Sequence, residues 1–281
     1  KLLVSLLSAL LCISVVAEPE IQSDGNQNVN SITIDKNGDV FASPLWYNIS
    51  SDSTAEVKQN DSYKDLKSIV IPSKIQIDGR IYPVTSIGEK GFSWCSKLRD
   101  IELPSSVTNI GENAFGKCSA LININVASDN YVFSSENGML YDKNKTKLIC
   151  VPRGKKGSIE IPLDVTSIGE YAFFCCDELI SIEIPSSVTS IENFAFDGCR
   201  GLTNIKIPSS VTSIGNYAFM GCSGLTHIEI PSSVTSIGEG VFSGCSGLTN
   251  IKIPSGVTSI GDGAFSGCSG LTSIKIPSCV T

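Results

Sequence analysis

The sequence predicts an α/β repeat solenoid: a right-handed coil built on a parallel β-sheet, with short helical or 3₁₀ turns and a small β-rich N-terminal cap. Three observations carry this prediction. A 23-residue unit recurs along most of the chain, and a fixed period in the twenties marks a stack of like coils. The positions that never vary between copies are large and apolar, whereas polar positions drift. Each unit also holds an Ile-x-Ile alternation closed by proline, as in Ile205-Lys206-Ile207-Pro208, which reads as a short strand.

The N-terminus stands apart. Residues 2–17, LLVSLLSALLCISVVA, form an uncharged apolar run preceded by Lys1. At sixteen residues the run is shorter than the roughly 20 a membrane-spanning helix needs. Val15 and Ala17 fit the small-residue pattern of a secretory cleavage site, so residues 1–17 are read as a signal peptide and the mature chain as starting near Glu18. Leu11 before Cys12 speaks against a lipoprotein site. Residues 18–63 are polar and are expected to form a leader followed by a β-rich cap, with strands near Ser31–Ile34 and Leu45–Ile49. The solenoid is then expected over residues 64–281.

Seven regular copies begin at Val84, Val107, Val165, Val188, Val211, Val234 and Val257. Between the second and third lies an irregular 35-residue repeat, residues 130–164. Isoleucine fills the fourth position of every copy (Ile87 to Ile260) and phenylalanine the ninth (Phe92 to Phe265). Cysteine fills the twelfth (Cys95 to Cys268) and leucine the fifteenth (Leu98 to Leu271). The spacing of Ala218, Phe219 and Cys222 suits one or two turns of helix. No coil buries its apolar face alone; stacking completes the core. The final unit ends without a polar closing face, so the chain is expected to be a fragment or to be capped by something else.

An exported chain with eleven cysteines invites a disulfide reading. Seven of them share one repeat position, where parallel Cβ vectors fit the disulfide torsion poorly, so a column of buried thiols is expected. Cys150, Cys175 and Cys279 fall off that column and leave a specific pair open. A lone histidine, His227, disfavours His-based triads and metal sites, and no CxxC pair is present; neither enzyme activity nor a cofactor is expected. With 21 Lys+Arg against 28 Asp+Glu, the chain lacks the basic stripe of a nucleic-acid binder.

The units of the form LTxIxIPSSVTSIGxxAFxGCSG resemble the leucine-rich repeats of the BspA type. The resemblance spans roughly residues 64–281, and the stretch NGMLYDKNKTKLICVPRGKK is similar to the family's irregular, hairpin-bearing repeat. The segment from Trp46 to Gly88 resembles its β-rich N-terminal cap. One departure is Ser210 or Ser233 where leucine-rich repeats usually carry Asn, so the backbone groups that Asn would satisfy need these hydroxyls or the Thr of the VTS segment. The resemblance implies a secreted or cell-surface protein that adheres to host or microbial macromolecules, possible partners being extracellular proteins of the host matrix. A structural spacer within a longer surface protein is the alternative.

Two sets of residues are candidates for contact. The outward strand positions carry Glu183, Lys206, Glu229, Lys252 and Lys275, with alternating sign from Glu183 to Lys252. Two positions earlier the same face shows Asn204, His227 and Asn250. Cross-strand pairing of the charges is one expected role, and ligand reading along the extended face is the other. The irregular repeat is locally basic, with Lys143, Lys145, Lys147, Arg153, Lys155 and Lys156, and is an accessory contact candidate.

Overall fold

A computed structural model of the chain describes residues 32–34, 40–42 and 44–281; the expected signal peptide over 1–17 lies outside them. Successive 23-residue units stack as like coils, joined by three hydrogen-bonded ladders. The first is the expected parallel sheet. Leu179–Glu183, Asn204–Lys206, His227–Glu229 and Asn250–Lys252 lie side by side, with Gly157–Glu160 at one edge. The register is that of the repeat: Ile182, Ile205, Ile228 and Ile251 align, all turned into the core.

The second ladder was not expected. The Ser-Ile pairs of the VTSIG segments form two-residue strands that also pair in parallel, Ser167–Ile168 with Ser190–Ile191 and these with Ser213–Ile214. Thr hydroxyls reinforce this side, Thr189 and Thr212 each donating to the backbone carbonyl of the matching Thr one coil back at 3.3 Å.

The third ladder replaces the helical turn expected over Ala218, Phe219 and Cys222. That segment is an arc of consecutive turns, not a helix. Its backbone enters the left-handed region twice per coil, at Tyr217 (φ 57°) and Gly221 (φ 69°), which a helix cannot accommodate. The N–H groups of Tyr217, Phe219 and Gly221 point out of the coil and donate to the carbonyls of Glu239, Val241 and Ser243 in the next one, at 2.8, 2.9 and 2.7 Å. An N–H bonded to the neighbouring coil cannot also close a helical turn. Among the described residues helix is confined to one 3₁₀ segment, Asp61–Asp65, in the cap. The chain is therefore a nearly all-β solenoid, and the α/β expectation is corrected.

Inside the coils the invariant positions form columns. Phe173, Phe196, Phe219, Phe242 and Phe265 stack face to face with centroid spacings of 4.6, 5.0, 5.7 and 5.6 Å. Beside them runs the cysteine column, every member a free thiol. These thiols do more than fill space, since those from Cys118 to Cys268 each satisfy a main-chain carbonyl of the preceding turn of chain. Cys199, Cys222 and Cys245 donate to the Phe173, Phe196 and Phe219 carbonyls at 3.0, 3.1 and 3.1 Å. Serine hydroxyls take the role left open by the missing Asn: Ser187, Ser210 and Ser233 donate to the carbonyls of Val165, Val188 and Val211.

At the N-terminal end, Ile32–Ile34, Val40–Ala42, Leu45–Ile49 and Ala55–Val57 form an antiparallel meander, whose last strand pairs in parallel with Arg80–Ile87. Buried Tyr63 closes the aromatic column by packing on Phe92 at 5.5 Å.

The irregular repeat interrupts the coil. Its strands Phe133–Glu136 and Met139–Asp142 form a hairpin, and Lys147–Cys150 continues antiparallel from the second of them. All three ladders break at this level. Asn123–Val126 ends one strand sheet, and Gly157–Glu160 begins the next. Asn109–Ile110 pairs only backwards, with Arg80–Ile87, and Lys147–Cys150 only forwards among the Ser-Ile strands. The buried side chains accordingly form two clusters, one from Leu45 to Leu140 and one from Met139 to Cys268. The strand Met139–Asp142 belongs to both. Leu140 packs into the first cluster, while Met139 and Tyr141 pack into the second, as alternation along a strand dictates.

Candidate functional site: the charged strand face

The strand sheet positions the candidate residues by simple alternation. With Ile205, Ile228 and Ile251 turned inward, their neighbours on either side must face solvent. Glu183, Lys206, Glu229 and Lys252 align across four strands, and Asn204, His227 and Asn250 align two residues earlier; all seven are exposed. His227 stands in register between the two asparagines as one more outward polar group. The edge strand adds Glu160 beside Glu183, and Ser158, whose hydroxyl lies 2.7 Å from that of Ser181.

Two expectations are corrected on this face. Lys275 does not join the ladder: Asn250–Lys252 is the last strand of the sheet, and residues 273–277 form no strand. In this unit Ile274 and Ile276 are 37% and 46% exposed, whereas their counterparts Ile251 and Ile253 are buried. Nor do the alternating charges pair. Among the described residues no ion pair within 4.0 Å links Glu183, Lys206, Glu229 and Lys252, although they stand on adjacent strands. These charges remain solvated.

The basic residues of the irregular repeat are engaged within the molecule. Lys145 pairs with Glu136, Lys147 with Glu192 at 2.7 Å, Arg153 with Asp177 at 2.6 Å and Lys156 with Glu178 at 3.5 Å. Lys143 donates to the backbone carbonyl of Ser128 at 3.1 Å and Lys155 to that of Asn137 at 2.6 Å. The positive charge of this insert is thus compensated locally, and it ties the insert to flanking coils.

A second feature was missed. Tyr171, Phe194 and Tyr217 occupy the seventh position of three consecutive copies and stack at 4.9 and 5.0 Å along the outer edge of the arcs. Each sits at positive φ, where a bulky side chain is an outlier. Gly240 takes the same position in the next coil, and the Tyr217 ring fills the space beside it. Aromatic residues recurring at that slot were the available signal.

The coil geometry, the ladder register and the periodic core together match a single family. The model of the BspA type leucine rich repeat region matches residues 61–156 and 166–281. The chain belongs to the BspA-type leucine-rich repeat family. No curated protein matches it in sequence. Among solved structures, it resembles a leucine rich cell surface protein from Faecalibacterium prausnitzii A2-165, with 24% identity and a TM-score of 0.57, over 84% of this chain and 94% of the other. It also resembles the pneumococcal vaccine antigen PcpA, with 19% identity and a TM-score of 0.56, over 90% and 93% of the two chains. Both likenesses show the shared solenoid. A repeat protein of the BspA type points to no catalytic family, and among the described residues no helix is long and apolar enough to cross a membrane.

Proposed function

We propose that the chain is a secreted or cell-surface binding protein that adheres to extracellular proteins or other cell-surface macromolecules through its strand face, making and breaking no covalent bonds. The observation that carries this reading is the alignment of Glu183, Lys206, Glu229 and Lys252 as exposed, unpaired charges on one rigid sheet. Solvated charges held in fixed register cost little further ordering on contact and give directional, multivalent recognition. The surface location is supported by the apolar leader over residues 2–17 and by the description of the similar bacterial protein as a cell surface protein.

The test is a binding screen of residues 18–281 against immobilised matrix proteins and glycans at low and high salt. Affinity for the ligand found is expected to fall as salt rises, because exposed charges more than about 10 Å apart are screened at 0.1 M. The triple variant Glu183→Ala, Lys206→Ala, Glu229→Ala is expected to lose about tenfold or more in affinity while keeping its unfolding midpoint, since no contact inside the fold is removed. Unchanged affinity in that variant rejects the face.

A further inference from the structure

The charges on the strand face form a pattern that is its own complement. Along the solenoid axis the aligned strands present Glu183, Lys206, Glu229 and Lys252, all exposed. Reversing their order and exchanging their signs returns the same series. Such a face meets a second copy of itself with every charge opposed when the copies are related by one particular two-fold axis. That axis lies in the interface, parallel to the strands and midway between Asn204–Lys206 and His227–Glu229. Glu183 then faces Lys252 of the second copy and Lys206 faces its Glu229, and the symmetry repeats both contacts. The column two residues earlier follows the same operation. Asn204 faces His227 and Ser181 faces Asn250, groups able to donate and accept hydrogen bonds.

Shape permits the contact. Away from the sheet, on the arcs, the rings of Tyr171, Phe194 and Tyr217 are spaced 4.9 and 5.0 Å from coil to coil, and strands of a sheet lie about 4.8 Å apart. Coils wedged enough to bend the solenoid would separate these values, so the face runs nearly flat along the axis and two copies touch over all four strands. Other registers fail on charge. A two-fold axis along the solenoid sets every charge against itself. Moving one copy by one coil from the favoured register sets Lys206 or Glu229 against itself. Moving it by two, towards the edge strand, sets the exposed Glu160 against Glu229. Like charges held face to face exclude these alternatives, which leaves one arrangement in which all four are opposed. In that arrangement Glu160 faces the unit that carries Lys275.

We propose that the strand face binds a second copy of this chain, face to face, with the two solenoid axes antiparallel. The inference rests on the reading of that face as the contact surface and names one partner for it. Antiparallel axes let copies held by the same end on two facing surfaces meet, so the contact is one between surfaces as well as between molecules. It is also small. Four strands span only about 14 Å, which falls short of the roughly 800 Å² per partner of a standard interface. A weak, concentration-dependent dimer is therefore expected, with a Kd on the order of 10–100 μM.

Sedimentation equilibrium of residues 18–281 in reducing buffer, from about 5 to about 500 μM, is expected to show a monomer–dimer equilibrium. Lys206→Glu and Glu229→Lys each put like charges opposite one another twice, and each is expected to weaken the dimer about tenfold or more. Mixed in equal amounts, the two variants should regain a dimer of wild-type strength, because every facing pair between them is again opposite in sign. The double variant Lys206→Glu, Glu229→Lys should self-associate for the same reason. Recovery on mixing also shows that both single variants are folded. A wild-type chain that stays monomeric to about 500 μM, a dimer indifferent to either substitution, or no recovery on mixing overturns the proposal. The screen against matrix proteins and glycans does not read self-association, so either inference can fail while the other stands.

Discussion

Replacing Asn130 with alanine is expected to destabilise the fold by about 4 kcal/mol, the combined effect of several buried polar groups losing their partner. Asn130 is the one buried polar side chain among the described residues, and it is fully enclosed. Its amide donates to the carbonyls of Pro104 and Val107 at 3.0 and 2.8 Å, and its oxygen accepts from the N–H groups of Val132 and Phe133 at 2.9 and 2.8 Å. In the regular coils a serine does one part of this work, as Ser187 does for the Val165 carbonyl. Asn130→Ser should therefore lose less than Asn130→Ala, and Asn130→Asp more than Asn130→Ser, because a carboxylate faces two carbonyl oxygens. Urea unfolding at neutral pH reads the order. An alanine variant within about 1 kcal/mol of wild type would show that the hairpin is held by its apolar contacts alone.

Alkaline pH is expected to unfold the solenoid steeply through its thiol column. Burial pushes the Cys245 thiol from its ordinary 9.0 up to about 12, and holds Cys176 and Cys222 well above 9.0. Since the folded pKa lies above the unfolded one, the stabilisation is complete below pH 9 and is lost as pH climbs towards 12. In that window each such thiol lowers stability by roughly 1.4 kcal/mol per pH unit, so three together give about 4. Deprotonation also removes the donors that satisfy the Phe196 and Phe219 carbonyls. Buried Tyr47, Tyr63 and Tyr141, with phenol pKa values raised chiefly by burial, add to the slope above pH 10. Urea titrations in reducing buffer across this range measure the slope, and Cys222→Ala should make it shallower by one thiol. A stability that stays flat from about pH 8.5 to 10.5 contradicts a protonated column.

The parts of the architecture that repeat are legible in the sequence. Ile205, Phe196, Cys199 and Leu202 recur at fixed spacing because each faces the same residue one coil away, and that demand is written into every copy. What escaped depends on backbone conformation. Ala218, Phe219 and Cys222 have helical spacing, yet Tyr217 at positive φ sends the chain around an arc, and tyrosine carries no mark of that. The Ser-Ile strands are two residues long, too short to show alternation. On the candidate face, the alternation of Glu183, Lys206, Glu229 and Lys252 predicted register correctly, but adjacency on a sheet does not bring the charged ends together. The break at residues 130–164 was foreshadowed only as a loss of period, because how the hairpin crosses the core depends on backbone conformation.

Two blocks of coils meeting at the strand Met139–Asp142 make the molecule mechanically two springs in series. Tension along the axis passes equally through both blocks, but at the joint it leaves the three ladders and runs through the hairpin and its packing instead.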